Sequence, residues 1–289
     1  MHVVKSLGDA TFEDLTEEQP DITKTAVETA PPDVLPEMHR HWVKHGWVTI
    51  PNLIPTDVID NYAAVRERLP KDRRALDNYW GGWHYPTPYM DCPELLDLAT
   101  HHELQHVLGS LIAEPVGLHL ALTGWVSTER RWHQDSYLNP EFLWSFYVAA
   151  WIALDDVDGD SGPFEFIDGS HTWPVLRREK LFRFLTPEQR ASPDWPTTTQ
   201  GQIERVCEAE ISKRGALVSR FVPKKGDVLI WHSNLIHRGS IPHNSELLRK
   251  SLICHYSSVV RRLDMNRLAR NPTNGSLYFD LPSASAPRM

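Results

Sequence analysis

Trp132-His133-Gln134-Asp135 is the stretch whose reading decides the fold. Read as a β-strand, it turns alternate side chains to one face, so His133 and Asp135 point together and Gln134 points away. One imidazole and one carboxylate side by side supply two of the three groups in the 2-His-1-carboxylate arrangement that holds non-haem Fe(II). The third ligand has to come from elsewhere, and Leu235-Ile236-His237-Arg238-Gly239-Ser240 is the natural donor. His232 competes with His237 for that place, because a turn at Ser233-Asn234 stops strand alternation from deciding between them. In a chain with fifteen His a lone His-x-Asp pair is a weak signal, so its weight comes from the sequence around it.

That surrounding sequence reads mainly as strands. β-Branched and aromatic segments, separated by Gly and Pro, run over 117–127, 132–137, 142–154, 164–166, 217–222, 227–231 and 249–257. Upstream, helical spacing of apolar residues predicts helices from Asp33 to His45, closed by Gly46, and from Thr56 or Asp57 to about Leu69. A strand over Trp47-Val48-Thr49-Ile50 lies between them. Two further short helices are expected over 93–113. His101, His102 and His106 there read as a solvated helix start and face, since no carboxylate or Cys completes a metal set. A helical insert from Pro174 to about Leu185, a long loop over 186–201 and an acidic stretch over 202–211 interrupt the strands. The loop 78–89, crowded with Tyr79, Trp80, Trp83, His84, Tyr85 and Tyr89, reads as a packed surface loop or a lid over a pocket. Residues 1–32 are acidic and weakly periodic, and a mobile arm or a late-ordering cover is expected there. The fold expectation is mainly β with helices (α+β). A helical layer over about 33–115 packs on a double-stranded β-helix, a jelly-roll or cupin-like barrel, over about 116–260. An extension over 261–289 follows, and 33–289 form one domain.

Composition removes several classes of function. The chain has 289 residues, 41% of them hydrophobic, enough for a sizeable core. A net charge of −8 argues against a nucleic-acid binder, which carries a basic stripe. Three Cys cannot make a disulfide framework and no Cys-x-x-Cys exists, which suits a reducing compartment. No secretory signal is visible, and the longest apolar run is too short to span a bilayer. A soluble, cytoplasmic protein with a small-molecule partner is expected, with no nucleic acid and no membrane. The oligomeric state is not legible.

Further motifs then fall in order: Gly46-Trp47-Val48-Thr49-Ile50-Pro51, the His133/Asp135 stretch, Ala150-Trp151-Ile152-Ala153-Leu154-Asp155-Asp156, Ser161-Gly162-Pro163-Phe164 and Gly169-Ser170-His171. Gly226-Asp227-Val228-Leu229-Ile230-Trp231-His232 leads on to His237, and Arg249-Lys250-Ser251 closes the series. From about residue 35 to 258 the chain resembles the phytanoyl-CoA dioxygenase (PhyH)-like family of Fe(II)/2-oxoglutarate-dependent oxygenases. The resemblance implies that His133, Asp135 and His237 are the iron ligands. It implies that Arg249 pairs with the distal carboxylate of 2-oxoglutarate, and that Trp151 and Ser240 line the co-substrate pocket. Arg238 is a departure, since many members pass directly from the ligand His to Gly, and a small loop adjustment is expected there. The implied cofactors are Fe(II), 2-oxoglutarate as co-substrate, and O₂. The implied reaction is hydroxylation of an unactivated C–H bond with release of succinate and CO₂.

Elementary chemistry agrees with that implication. A guanidinium fork matches a planar carboxylate better than lysine does. Asp135 speaks against a halogenase, which needs a small residue there to admit chloride. Two other classes compete: a non-oxygenase, cupin-like metal-binding protein, and a catalytically silent binding module. The first leaves Arg249 unexplained, and the second would normally have lost a ligand. His119, His171 and His255 read as hydrogen-bonding or core histidines, and Asp155-Asp156 as a strand end. The substrate is not readable, although the aromatic loop suggests something ring-bearing and Arg130-Arg131 could meet an anion.

Overall fold

The computed structural model describes residues 6–20, 24–68, 87–127 and 129–281. The strands among them are β1 (Thr16–Glu17), β2 (Trp47–Ile50), β3 (Val116–Gly124), β4 (Tyr147–Ala153), β5 (Phe164–Ile167) and β6 (Val175–Leu176). They continue as β7 (Val218–Phe221), β8 (Val228–His232), β9 (His237–Gly239), β10 (Ser251–Ser258), β11 (Leu268–Arg270) and β12 (Leu277–Phe279). A large sheet has the order β11-β12-β3-β10-β4-β8-β2, a small one the order β7-β5-β9, and β1 pairs with β6. The chain is therefore a mixed α/β structure with one large sheet and several helices.

β4 explains why its sequence lacks alternation: every one of its residues is buried. Val148, Ala150 and Ile152 face a core shared with Leu95, Leu104, Leu108 and Leu111 of the helices Pro93–Ala99 and His102–Ile112. Ala149, Trp151 and Ala153 face a second core, shared with Phe164, Phe166 and Phe221 of the small sheet. The strand thus has apolar contacts on both faces, and each fully buried Leu or Ile contributes about 1.5–3 kcal/mol of transfer free energy. The helix Glu37–His45 ends at Gly46, which adopts the left-handed conformation at φ 76°. A Cβ there would lie 2.3 Å from the His171 ring, so the turn and the close approach both require glycine.

Several expectations change. Residues 132–137 do not form a strand: His133 makes an isolated bridge with His237, and Asp135 already has helical backbone angles before the turn Ser136–Leu138. Residues 141–143 form a 3₁₀ turn, so β4 begins only at Tyr147. The loop expected over 186–201 holds the helix Pro187–Ala191 and the start of a 20-residue helix, Trp195–Arg214. Its prolines misled the reading because Pro187 and Pro196 occupy first-turn positions, where no amide hydrogen is needed. The insert expected from Pro174 begins instead as β6, with its helix confined to Arg178–Phe182. The extension after 260 adds β11 and β12 to the large sheet. Residues 78–86 of the aromatic loop lie outside the described residues, and Tyr89 is buried with its hydroxyl donating to Phe279 O at 3.1 Å.

The described residues before 33, 6–20 and 24–32, lie against the core as a cover. Phe12 and Leu15 are buried beside Ile203 and Val206 of the long helix. The weak periodicity of this cover has a simple cause: it is held by one-turn helices closed by capping boxes, Thr11 with Asp14 and Thr25 with Glu28. Glu28 also reaches the buried His232, with Oε1 and Nε2 3.2 Å apart. Burial pushes the Glu28 carboxyl up, but the His232 contact and the Thr25 amide outweigh it and hold the group at about 2. The folded value is depressed, so its stabilisation is present above pH 4.5 and is lost as pH falls toward 2, amounting to about 3 kcal/mol. Glu28→Gln is expected to flatten the loss of stability between pH 5 and pH 2.5 in urea titrations. Parallel wild-type and variant curves would exclude this contribution.

Candidate active site

His133 and His237 meet across their two-residue bridge, with backbone N–H···O distances of 3.1 and 3.0 Å. Asp135 enters from the turn that follows, where its amide donates to Ser233 O at 2.8 Å. Gln134 points away, as expected, and is locked between Asn234 O and the Leu176 amide. Among the described residues, His133, Asp135 and His237 are the only group of three or more potential ligands gathered closely enough to hold one ion, and all three are buried. Asp135 Oδ1 lies 3.5 Å from His133 Nε2 and 3.7 Å from His237 Nε2.

The hydrogen bonds behind these groups set their chemistry. His133 Nδ1 lies 2.6 Å from Arg131 O, and His237 Nδ1 lies 2.9 Å from Leu235 O. A carbonyl only accepts, so each Nδ1 carries the proton, and in the neutral ring each Nε2 keeps its lone pair. Burial pushes the His237 imidazole down to about 3. Burial also works against the Asp135 carboxylate, but the adjoining His237 and His133 rings hold its pKa well below the usual range. Two lone pairs and one anionic oxygen converge on one point, which is the donor set a divalent first-row metal takes.

Trp231 is a site residue that sequence reading missed. Its indole Nε1 donates to Asp135 Oδ2 at 3.0 Å, which engages the outer carboxylate oxygen and leaves Oδ1 facing the imidazoles. The available signal was its place on β8, where Leu229 and Trp231 share the inward face. Such outer partners orient ligands and are worth 10–100-fold in metal affinity. Trp231→Phe is expected to weaken Co(II) binding about tenfold or more; equal titration curves would remove this role.

Arg249 is 1% exposed and lines the same cavity, of about 290 Å³. Its Nη1 donates to Gly162 O at 2.6 Å, while its Nε has no hydrogen-bond partner among the described residues. No carboxylate among the described residues forms an ion pair with it, and burial lowers its pKa to about 10. A buried cation facing a cavity in this way suits an anionic ligand. Trp151 lies outside the cavity lining, with its ring 5.8 Å from the Arg249 guanidinium. Ser240 also lies outside the lining, and its hydroxyl donates to Pro163 O at 2.7 Å. His232 does not join the metal group and meets Glu28 instead. Arg238 points away from His237, and its Nε donates to the buried Glu165 at 2.7 Å, beside a second bond from Arg220 Nε at 2.8 Å. The residue between His237 and Gly239 is thereby used to tie β9 to β5 and β7. His119, Tyr147 and His255 also reach the cavity wall.

The family model of phytanoyl-CoA dioxygenase (PhyH) matches residues 42–251. Peroxisomal phytanoyl-CoA dioxygenase of Rattus norvegicus is 21% identical over 245 residues, covering 77% of this chain and 68% of the rat chain. EctD from S. alaskensis, solved with 2-oxoglutarate and 5-hydroxyectoine, superposes with a TM-score of 0.58 at 16% identity, covering 86% of this chain and 84% of that one. The epimerase SnoN from nogalamycin biosynthesis, solved with Fe³⁺, alpha ketoglutarate and nogalamycin RO, gives a TM-score of 0.55 at 18% identity, covering 79% and 85%.

Proposed function

The chain belongs to the phytanoyl-CoA dioxygenase family, and we propose that its cavity hydroxylates a C–H bond of a small molecule, with His133, Asp135 and His237 binding the iron and Arg249 the co-substrate. The protein is an Fe(II)- and 2-oxoglutarate-dependent dioxygenase. The observation that carries the assignment of residues is the conjunction, in a single cavity, of two lone-pair imidazoles, one free carboxylate oxygen and a buried guanidinium with no carboxylate partner among the described residues. When bound, the iron and its co-substrate supply the oxidation: 2-oxoglutarate loses CO₂ to become succinate, and one oxygen atom of O₂ enters the substrate.

The chain's own residues prepare that chemistry. The Arg131 and Leu235 carbonyls hold the two rings with Nε2 inward, and Trp231 keeps Asp135 to a single oxygen. His133, Asp135 and His237 would hold the metal from one side, leaving its cavity side for the co-substrate and O₂. Arg249 receives the distal carboxylate as a fork. Phe164, stacked 5.2 Å from His237, and Leu120, Leu122 and Ile253 make the rest of the wall apolar and exclude water.

We read the two facing sheets as the jelly-roll of this fold, and 33–289 as one domain with the described residues before 33 as its cover. Among the described residues no helix is long and apolar enough to cross a membrane. The test is anaerobic addition of Fe(II) and 2-oxoglutarate, which should give a weak visible charge-transfer band, followed by a metabolite screen for substrate-dependent succinate and a product 16 mass units heavier. A folded sample that gives no band would refute the site, and succinate coupled to a product lighter by two hydrogens would replace hydroxylation with desaturation.

A further inference from the structure

The neighbours Arg130 and Arg131 point to different places. Arg131 turns outward: its side chain is 55% exposed and ion-paired with Glu204 of the helix Trp195–Arg214. Arg130 is half-buried and lines the cavity. Its carbonyl accepts from the Gly239 amide at 2.9 Å, which fixes it beside β9, two residues along from the ligand His237.

The long helix treats these two cations differently. It offers Arg131 the Glu204 carboxylate. One turn earlier it offers Arg130 an amide, with Nη1 donating to Gln200 Oε1 at 3.2 Å. The Tyr137 hydroxyl, which burial keeps protonated, lies beside the same guanidinium. Both of these partners are neutral, so they position the charge of Arg130 without offsetting it. A guanidinium is always protonated and carries only donors, so what it can receive is an acceptor, best an anion.

The cavity then carries one positive charge too many. Among the described residues its lining holds two guanidiniums, Arg130 and Arg249, and one carboxylate, Asp135. The imidazoles add no charge: His133 and His237 turn lone pairs to the metal, and burial lowers His119 and His255. The charges of a ferrous ion and of 2-oxoglutarate cancel each other. The surplus cation faces a space whose wall also includes Leu120, Leu122, Leu138 and Ile253, and a low-dielectric wall strengthens its field. Different elements hold the two guanidiniums. Arg249 is tied to Gly162 O and, through its amide, to Trp125 O, whereas Arg130 is tied to β9 and the long helix. Arg249 is 1% exposed and Arg130 half-buried, so the co-substrate charge lies deep and the second charge nearer solvent.

Resting on the function above, we propose that Arg130 selects the primary substrate, receiving a carboxylate carried by an otherwise apolar molecule. The test uses the full chain loaded with Zn(II) and 2-oxoglutarate, with probe binding followed by ligand-observed NMR titration. Cyclohexanecarboxylate is the probe; cyclohexanecarboxamide, of the same shape without the charge, and cyclohexylammonium, of opposite charge, are the controls. Wild type should prefer the carboxylate to the amide by about tenfold or more, since a charge-assisted hydrogen bond is roughly twice as strong as a neutral one. Arg130→Met should erase that preference. Gln200→Glu keeps Arg130 and its tie to the helix but gives it a carboxylate partner, and it should erase the preference as well. A merely structural Arg130 would leave probe binding in Gln200→Glu unchanged. In both variants 2-oxoglutarate affinity should stay within about twofold, as for sites that share no partner. Equal binding of the amide, preferred binding of the ammonium, no binding of any probe to loaded wild type, or a carboxylate preference that survives Gln200→Glu would each overturn the proposal. A tenfold loss of 2-oxoglutarate affinity in the variants would overturn it too, by assigning Arg130 to the co-substrate. If wild type binds neither Zn(II) nor 2-oxoglutarate, the underlying function fails, which is a separate result from a wrong reading of Arg130.

Discussion

Asp135→Ala is expected to abolish the charge-transfer band and to cut 2-oxoglutarate-dependent succinate formation by at least about a thousandfold. The magnitude follows from position, because losing a residue behind a ligand already costs 10–100-fold and losing the ligand itself costs more. Two imidazoles remaining at a buried site cannot offset the charge of a divalent ion, and the only carboxylate that lines the cavity among the described residues will be gone. The fold is expected to survive. Trp231 Nε1 loses its acceptor, which costs about 1–3 kcal/mol, but the variant no longer buries an anion without its metal. Asp135→Asn keeps the shape and an acceptor for Trp231 and should fail in the same way, separating charge from packing. Urea unfolding, anaerobic spectra and succinate assays on both variants check each part. A wild-type band in a folded Asp135→Ala sample would show that the metal sits elsewhere.

How much of this was legible in the sequence differs residue by residue. Helix Glu37–His45 was readable because its apolar spacing and Gly46 are local signals, and local signals need no knowledge of neighbours. His133 and Asp135 do share one point, though not by strand alternation: a two-residue bridge and a turn bring them there. Position 195 onward was misread because proline breaks a helix only in its interior, and sequence alone does not say where the first turn falls. Trp231 was out of reach for a different reason. Its role depends on a residue 96 positions away. Non-local pairing of this kind leaves no mark in the local pattern.

Arg249→Met is expected to move stability and binding in opposite directions. In the wild type a guanidinium 1% exposed has one carbonyl partner and no carboxylate among the described residues. Burying an uncompensated cation costs several kcal/mol, and an apolar side chain of similar length relieves that cost. Gly162 O loses its donor, which offsets about 1–3 kcal/mol of the relief. The variant without ligand should therefore be no less stable than wild type. Binding should fall sharply, because removing one partner of a buried charge pair costs about 2–5 kcal/mol, or about thirtyfold to several thousandfold in 2-oxoglutarate affinity. The two effects combine in one thermal experiment. At 100 times its Kd, 2-oxoglutarate stabilises the metal-loaded wild type by about 2.7 kcal/mol, and the variant should gain almost nothing at the same concentration. Arg249→Lys should recover part of the affinity through charge but not the two-point geometry of the fork. If Arg249→Met instead unfolds the protein without ligand and leaves the response to 2-oxoglutarate intact, the guanidinium is a structural tie to Gly162 and the co-substrate binds through other groups.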